Sequence, residues 1–192
     1  MTETPFSQLL NRLNAVAHDR RRATEEARAL CQVALPRLST IVIDEADAKL
    51  GFAVPLLLRL IYTHVGNGGF GPGNGLIPLI YERSSNDDMS VVSEYLNRRS
   101  HSAGPRRSFR WPERMLPIAD CGCGQLACVL AAESDDLNPP VITFEPNLGN
   151  EHSTRQFLNG RPFIAPGFLP EMKCLSVWLE QWLDRTHSEQ LD

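Results

Sequence analysis

The sequence has no apolar run approaching the ~20 residues that a membrane-crossing helix needs. Its start, Met1-Thr2-Glu3-Thr4-Pro5, has neither the basic residues nor the apolar core of a secretory leader. H-E-x-x-H and G-x-S-x-G motifs are absent, and no phosphate-loop lysine follows its glycines. These absences remove the motif-defined zinc proteases, hydrolases and P-loop enzymes. They leave open a triad assembled from distant residues, because triads are defined by geometry. Cysteine is scarce: five residues, an odd number, with no disulfide-framework spacing. A reducing cytoplasm is therefore the expected compartment.

Cations are the most unevenly distributed residues. Residues 1–40 hold six arginines against four acids (Glu3, Asp19, Glu25, Glu26), a balance of +2; the remaining 13 Lys/Arg face 19 acids, a balance of −6. Residues 115–154 contain no Lys or Arg but do contain Asp120, Glu133, Asp135, Asp136, Glu145 and Glu151. A one-signed surface of this kind speeds encounter with a basic partner and repels phosphates. Asp87, Asp88, Glu133, Asp135, Asp136 and Glu145 are the candidate partner-binding acids, and nucleic acid is not an expected ligand. The alternative for these acids is a set of solvated turns.

What is present reads as one α+β domain. Thr4 and Pro5 suit a helix start, and Phe6, Leu9, Leu10, Leu13 and Val16 recur at helical spacing. Ala23, Ala27, Leu30, Cys31 and Ala34 predict a second helix stopping near Pro36. These form an N-terminal helical extension, residues 1–38, before an α+β module at 39–192. Within that module residues 42–50 predict a short helix. Its acids Asp44, Glu45 and Asp47 read as surface carboxylates favoured by a helix dipole rather than a catalytic set. Ser85 and Asn86 predict the start of a helix over Asp87–Leu96 with Val91, Val92, Tyr95 and Leu96 inward. Residues 97–110, with five arginines, read as a mobile loop rather than a nucleic-acid arm, since only Phe109 and Trp111 offer stacking surfaces.

Strands are expected at 76–81, 115–119, 126–130 and 141–144, with no crossover helices, so the sheet should be antiparallel. Gly122-Cys123-Gly124 marks a hairpin turn. Residues 147–168 look irregular. Pro170 should open a last helix whose Leu175, Trp178, Leu179, Trp182 and Leu183 form one stripe that clamps onto the sheet.

Six of the 13 glycines fall in residues 66–75. Ahead of them, Gly51 suits a helix C-terminus and Pro55 the first turn of the next helix. That helix, with Leu57, Leu58, Leu60, Ile61, Tyr62 and Val65, is apolar over most of its circumference and should be buried. Gly66, Gly68 and Gly71 satisfy G-x-G-x-x-G, but the order is helix, glycines, strand, the reverse of a dinucleotide fold. The loop is therefore scaffold, contact surface or, as a third reading, the pocket of a small enzyme. Cys121, Cys123 and Cys128 form C-x-C-x(4)-C, which lacks the paired spacing of zinc sites; packing at a hairpin is the expected role, and no metal or cofactor is expected. His64 is expected to cap a helix C-terminus.

Ile43-Asp44-Glu45-Ala46-Asp47-Ala48-Lys49-Leu50-Gly51-Phe52-Ala53-Val54-Pro55, Leu60-Ile61-Tyr62 and Asn67-Gly68-Gly69-Phe70-Gly71-Pro72-Gly73 resemble the SUKH superfamily. The likeness continues through Trp111-Pro112, Leu116-Pro117-Ile118, Gly122-Cys123-Gly124 and the helix bearing Trp178 and Trp182. The family pattern tends to have an aromatic where Asn74 stands and a tryptophan where Cys121 stands. The resemblance implies an α+β fold and a non-enzymatic binding role. Bacterial members look like immunity proteins that neutralise toxins, often nucleases, and the eukaryotic namesakes are regulators of cell-wall glucan synthesis. It marks Glu45, Gly51, Pro55, Tyr62, Asn67, Gly68, Gly69, Phe70, Gly71, Pro72, Gly73, Trp111, Gly122, Cys123, Trp178 and Trp182 as structural or binding positions.

Overall fold

The computed structural model describes residues 6–18, 34–81, 89–101, 111–131, 137–148, 156–158, 161–163 and 167–188. The second N-terminal helix, expected at 23–34, falls almost wholly outside them. Helix α1 (Ser7–Ala17) buries Leu9, Leu10, Leu13 and Ala17 in the same apolar cluster as the rest of the chain. It lies against α3 (Leu56–His64) and α5 (Leu175–Ser188). An Arg12–Asp184 ion pair at 2.6 Å closes its contact with α5.

Helix α2 (Thr40–Leu50) starts at Ser39, whose hydroxyl accepts the Val42 N–H at 3.4 Å, and ends at Gly51 with φ +79°. Pro55, φ −52°, precedes α3 directly. Leu57, Leu58, Ile61 and Tyr62 of α3 are buried.

Four strands, β1 (Met115–Gly122), β2 (Gln125–Leu130), β3 (Pro140–Phe144) and β6 (Phe168–Cys174), form an antiparallel sheet in the order β1-β2-β3-β6. The fold is α+β with helices flanking that sheet. The β1–β2 turn has Cys123 at φ +51° and Gly124 at +80°, the positive φ that a type I′ turn needs at both central residues. Met115–Ala119 and Leu126–Val129 are buried throughout, so both faces of the sheet centre are covered. Helix α4 (Val91–His101) packs on β1 and α5 on β3 and β6.

The structure corrects several boundaries. Residues 76–81 are not a strand of the sheet: Leu76 makes one bridge to Ala119 and the Ile77 N–H donates to Ile118 O at 2.8 Å. Pro78 has no N–H with which to continue the ladder. The fourth strand is β6, where a last helix was expected to open at Pro170. A proline in a strand is tolerated at an edge, and β6 is an edge. The stretch read as irregular contains a two-stranded ribbon, β4 (Gln156–Leu158) with β5 (Arg161–Phe163). Helix α4 begins only after Ser90, whose hydroxyl accepts the Ser93 N–H at 3.1 Å, and continues to His101 through Arg98 and Arg99. Val91, Val92 and Tyr95 do face inward, but Leu96 is 42% exposed.

Candidate functional site

The glycine run after α3 is stitched to residues 76–80 by backbone and side-chain hydrogen bonds. Gly69 N–H donates to Leu76 O (2.8 Å) and Leu76 N–H to Phe70 O (2.8 Å). The Asn67 side chain is buried and acts as a short stretch of strand: its Nδ2 donates to Ile80 O at 2.9 Å and its Oδ1 accepts the Leu79 N–H at 2.8 Å. Tyr62 donates its hydroxyl to Ile77 O at 3.0 Å, and burial pushes this phenol far up. From the other side, Leu35 N–H donates to Gly68 O at 3.1 Å. Phe70 and Gly71 are buried. Gly68, φ +79°, lies so close to residues 76–80, the strap that covers the loop, that a Cβ would stand 2.4 Å from Leu76 O. The N–H groups of Asn67, Gly68, Gly69, Asn74 and Gly75 are thus spent on the protein's own chain.

The loop meets solvent mainly at its rim, with Gly69 half-buried beside it. Pro72 is half-buried and Gly73 and Asn74 are exposed; Pro72 O accepts the Gly75 N–H at 3.1 Å. Asn74 N–H donates to Asp120 O at 2.7 Å, and Asn74 Nδ2 to Asp120 Oδ2 at 3.3 Å, which fastens the rim to the β1–β2 hairpin. Asp120 Oδ1 accepts the Gly122 N–H at 2.8 Å. Cys121, Cys123 and Gly124 are exposed at the tip. The turn after β3 stands beside it, where Gln125 Nε2 donates to Glu145 and the Asn147 N–H donates to Glu145 Oε1 at 2.9 Å. These hydrogen bonds, the Gln125 amide first, hold the Glu145 carboxyl below its ordinary range.

Of the six candidate partner-binding acids, Glu145 is described; Asp87, Asp88, Glu133, Asp135 and Asp136 lie outside the described residues. The residues flanking 132–136, Ala131 and Leu137, are at the far end of β2 from Glu145: Leu130 pairs with Met115, whereas Leu126 pairs with Asp120 and Phe144. Glu145 therefore belongs to the hairpin tip.

The remaining marked positions are mostly structural in their contacts. Glu45 is exposed on α2. Its neighbour Asp47 lies in the last turn of α2, where a helix dipole does not favour a carboxylate. Asp47 is held by the Val54 N–H, which donates to its Oδ1 at 2.9 Å, and by an ion pair with Arg59. This replaces the dipole expectation for that acid. Trp111 is buried, donates Nε1–H to Met115 O at 2.8 Å and meets Phe144 and Phe168 edge-on with centroids 5.1 and 5.2 Å away. Trp178 is 8% exposed and Trp182 is partly buried against the core. His64 Nδ1 lies 3.1 Å from Leu60 O, on the last turn of α3.

Arg98, within the stretch that reads as a mobile loop, lies in helix α4. Its guanidinium lies 4.6 Å from the Trp111 ring centroid and its Nε donates to Glu94 at 2.6 Å. The Glu94–Arg98 spacing of four residues was the available signal. Asn138 and Ser176 were also missed: Asn138 Oδ1 accepts the Ser176 N–H at 2.8 Å and so caps α5. Cys128 is buried opposite Pro117, and burial pushes its thiol far up, while Cys121 and Cys123 sit at the exposed tip. No three His, Cys, Asp or Glu side chains among the described residues group to hold a metal. No helix among the described residues is long and apolar enough to cross a membrane.

A comparison with curated proteins gives no match. The family model of the SMI1 / KNR4 family (SUKH-1) matches residues 37–168, the span from just before α2 to the first residue of β6 that holds the glycine loop, its strap and the hairpin tip, and the chain belongs to that family.

Proposed function

We propose that this chain is a non-enzymatic protein-binding module, an immunity protein that neutralises a toxin domain by occupying its active site in the cytoplasm. The observation that carries this is the cation-free stretch 115–154, set in a chain of the SMI1 / KNR4 family. Its described part includes the hairpin tip, where Asp120 and Glu145 are half-buried beside exposed backbone. Nuclease sites are basic because they hold phosphate, so an acidic surface reaches them quickly and blocks them by occupancy. The glycine loop serves as the frame beneath that surface, since its backbone bonds close on residues 76–80.

Affinity capture from lysate of the source cell, washed at low and high salt, identifies the partner, and inhibition of the recovered protein by this chain tests the reading. One large secreted protein held through its C-terminal segment and inhibited at one-to-one stoichiometry is the expected result. Reversing Asp135 and Asp136, or Asp87 and Asp88, should then slow association and flatten its salt dependence while leaving melting unchanged. Recovery of wall-synthesis or signalling proteins, with no inhibition of any toxin, would replace this function with that of a regulatory scaffold.

A further inference from the structure

Three turns distant in sequence meet at one end of the sheet: the loop rim at 72–74, the β1–β2 turn, and the turn that leaves β3. Glycine lets them approach. A Cβ at Gly73 would stand 2.5 Å from Asp120 O and 3.2 Å from Cys121 Cα. One at Gly122 would reach the Asn74 amide at 4.0 Å, and one at Gly124 would stand 3.2 Å from Pro146 Cγ. The three turns therefore form one continuous surface. What it presents to solvent is short and uncharged: Asn74, Cys121, Cys123, Gly124, Pro146 and Asn147 are exposed. Its charge lies in two half-buried carboxylates, Asp120 and Glu145. Asp120 Oδ1 accepts the Gly122 N–H at 2.8 Å, and its Oδ2 accepts the Asn74 amide at 3.3 Å. Glu145 Oε1 accepts the Asn147 N–H at 2.9 Å, and its Oε2 accepts the Gln125 amide. Both acids are thus fixed in direction, and a carboxylate with one bond on each oxygen keeps lone pairs for a further donor. The stretches that supply these turns, 66–81 and 115–154, contain no Lys or Arg.

We propose that this three-turn surface is where the chain docks its partner, and that the partner presents a basic loop whose arginine or lysine engages Asp120 and Glu145. The proposal rests on the binding role above and narrows it from the whole acidic stretch to one surface. Charge complementarity selects the occupant: two fixed anions on a surface built from cation-free stretches favour a basic segment and disfavour an acidic one. The glycines and short side chains let a partner backbone come close. Docking here also orders little that is not ordered already. The turns are bonded to one another, and immobilising long side chains is one of the costs of association.

The first test titrates the peptide Gly-Arg-Gly-Arg-Gly into the isotope-labelled full-length protein at low salt. Backbone amide signals should shift at Asn74, at Gly122 to Gln125 and at Asn147, and the shifts should fade at high salt. Asp120→Asn combined with Glu145→Gln keeps the side-chain shapes and removes the charges, so the shifts should be lost. Asp44→Asn combined with Glu45→Gln, at exposed acids of α2, should leave them in place. Cys123→Lys keeps both acids and adds a cation to the tip. It should give the same loss, and it keeps the test decisive should the double variant at 120 and 145 melt early. Shifts centred on α2, or shifts that survive both tip variants, overturn the proposal. The second test uses the protein recovered by affinity capture. The tip variants should weaken its binding by about tenfold or more, the loss expected for charge-assisted hydrogen bonds, and the α2 variant should not. A toxin inhibited equally well by the parent and the tip variants overturns this surface and leaves the immunity reading standing. Peptide shifts at the tip with no toxin recovered support the surface and overturn the immunity reading.

Discussion

Gly68 and Gly51 have the same backbone angle, φ +79° in each, and very different surroundings, which makes them a matched pair. An alanine at Gly51 would meet nothing within 4 Å. It would carry only the left-handed strain of an L-residue, about 1–2 kcal/mol. An alanine at Gly68 carries the same strain, and its Cβ would stand 2.4 Å from Leu76 O and 2.9 Å from Pro78 N. Both obstacles are backbone, so the strap must move. Leu76 O is also the acceptor of the Gly69 N–H, and Leu76 N–H donates to Phe70 O, both at 2.8 Å. Opening the strap leaves these two donors unmade at about 1–3 kcal/mol each. Gly68→Ala should therefore cost about 3–8 kcal/mol and Gly51→Ala about 1–2. For a domain of typical stability, about 5–15 kcal/mol, the first loss is severe and the second tolerable. Urea unfolding with a common slope reads the difference. Equal losses in the two variants would refute the close-approach argument and return the loop to the role of a contact surface.

Asn67→Ala removes the partners of Ile80 O and Leu79 N–H, both bonded inside the protein, and should cost about 2–6 kcal/mol in the same assay; a loss under about 1 kcal/mol would show that water replaces the amide. Trp178→Ala should cost roughly 3–5 kcal/mol because the ring is buried, and a loss below about 1 kcal/mol would make the stripe a contact surface. The Glu145 carboxyl titrates below its ordinary value of 4.5 in the folded chain, so its contribution is complete above that pH and is lost as the pH falls through the folded value. Glu145→Gln should therefore flatten the drop in melting temperature below about pH 4.5, and parallel curves for parent and variant would remove Glu145 from the acid limb.

Local chemistry made a good part of the fold legible. Gly51 ends α2 in the left-handed region, as a glycine at that position should. The Gly122-Cys123-Gly124 signature gave a real hairpin with β1 and β2 on either side. The stripe of Leu175, Trp178, Leu179 and Leu183 is buried on α5. Errors arose where a partner distant in sequence decides. Residues 76–81 and 168–174 both contain a proline, and nothing local says which of them joins a ladder. The first spends its groups on Asn67 and Tyr62, and the second pairs with β3. Five arginines made 97–110 look like a loop, yet the aromatic rings of Trp111 and Phe144 give Arg98 a face to lie on. The candidate site divided in the same way. Its glycines were visible as a cluster, but their burial against residues 76–80 was not.

The sequence by itself determined the α+β class, the helix stop at Gly51, the hairpin at residues 122–124 and the family, because backbone conformation and apolar period are properties of neighbouring residues. Tertiary structure alone decided that β6 is the fourth strand, that Asn67 completes the strap, and that Glu145 shares the hairpin tip with Asp120 and the two exposed cysteines. Those facts depend on which hydrogen-bonding groups meet across the fold, and a buried polar group settles on whichever partner the packing brings within reach.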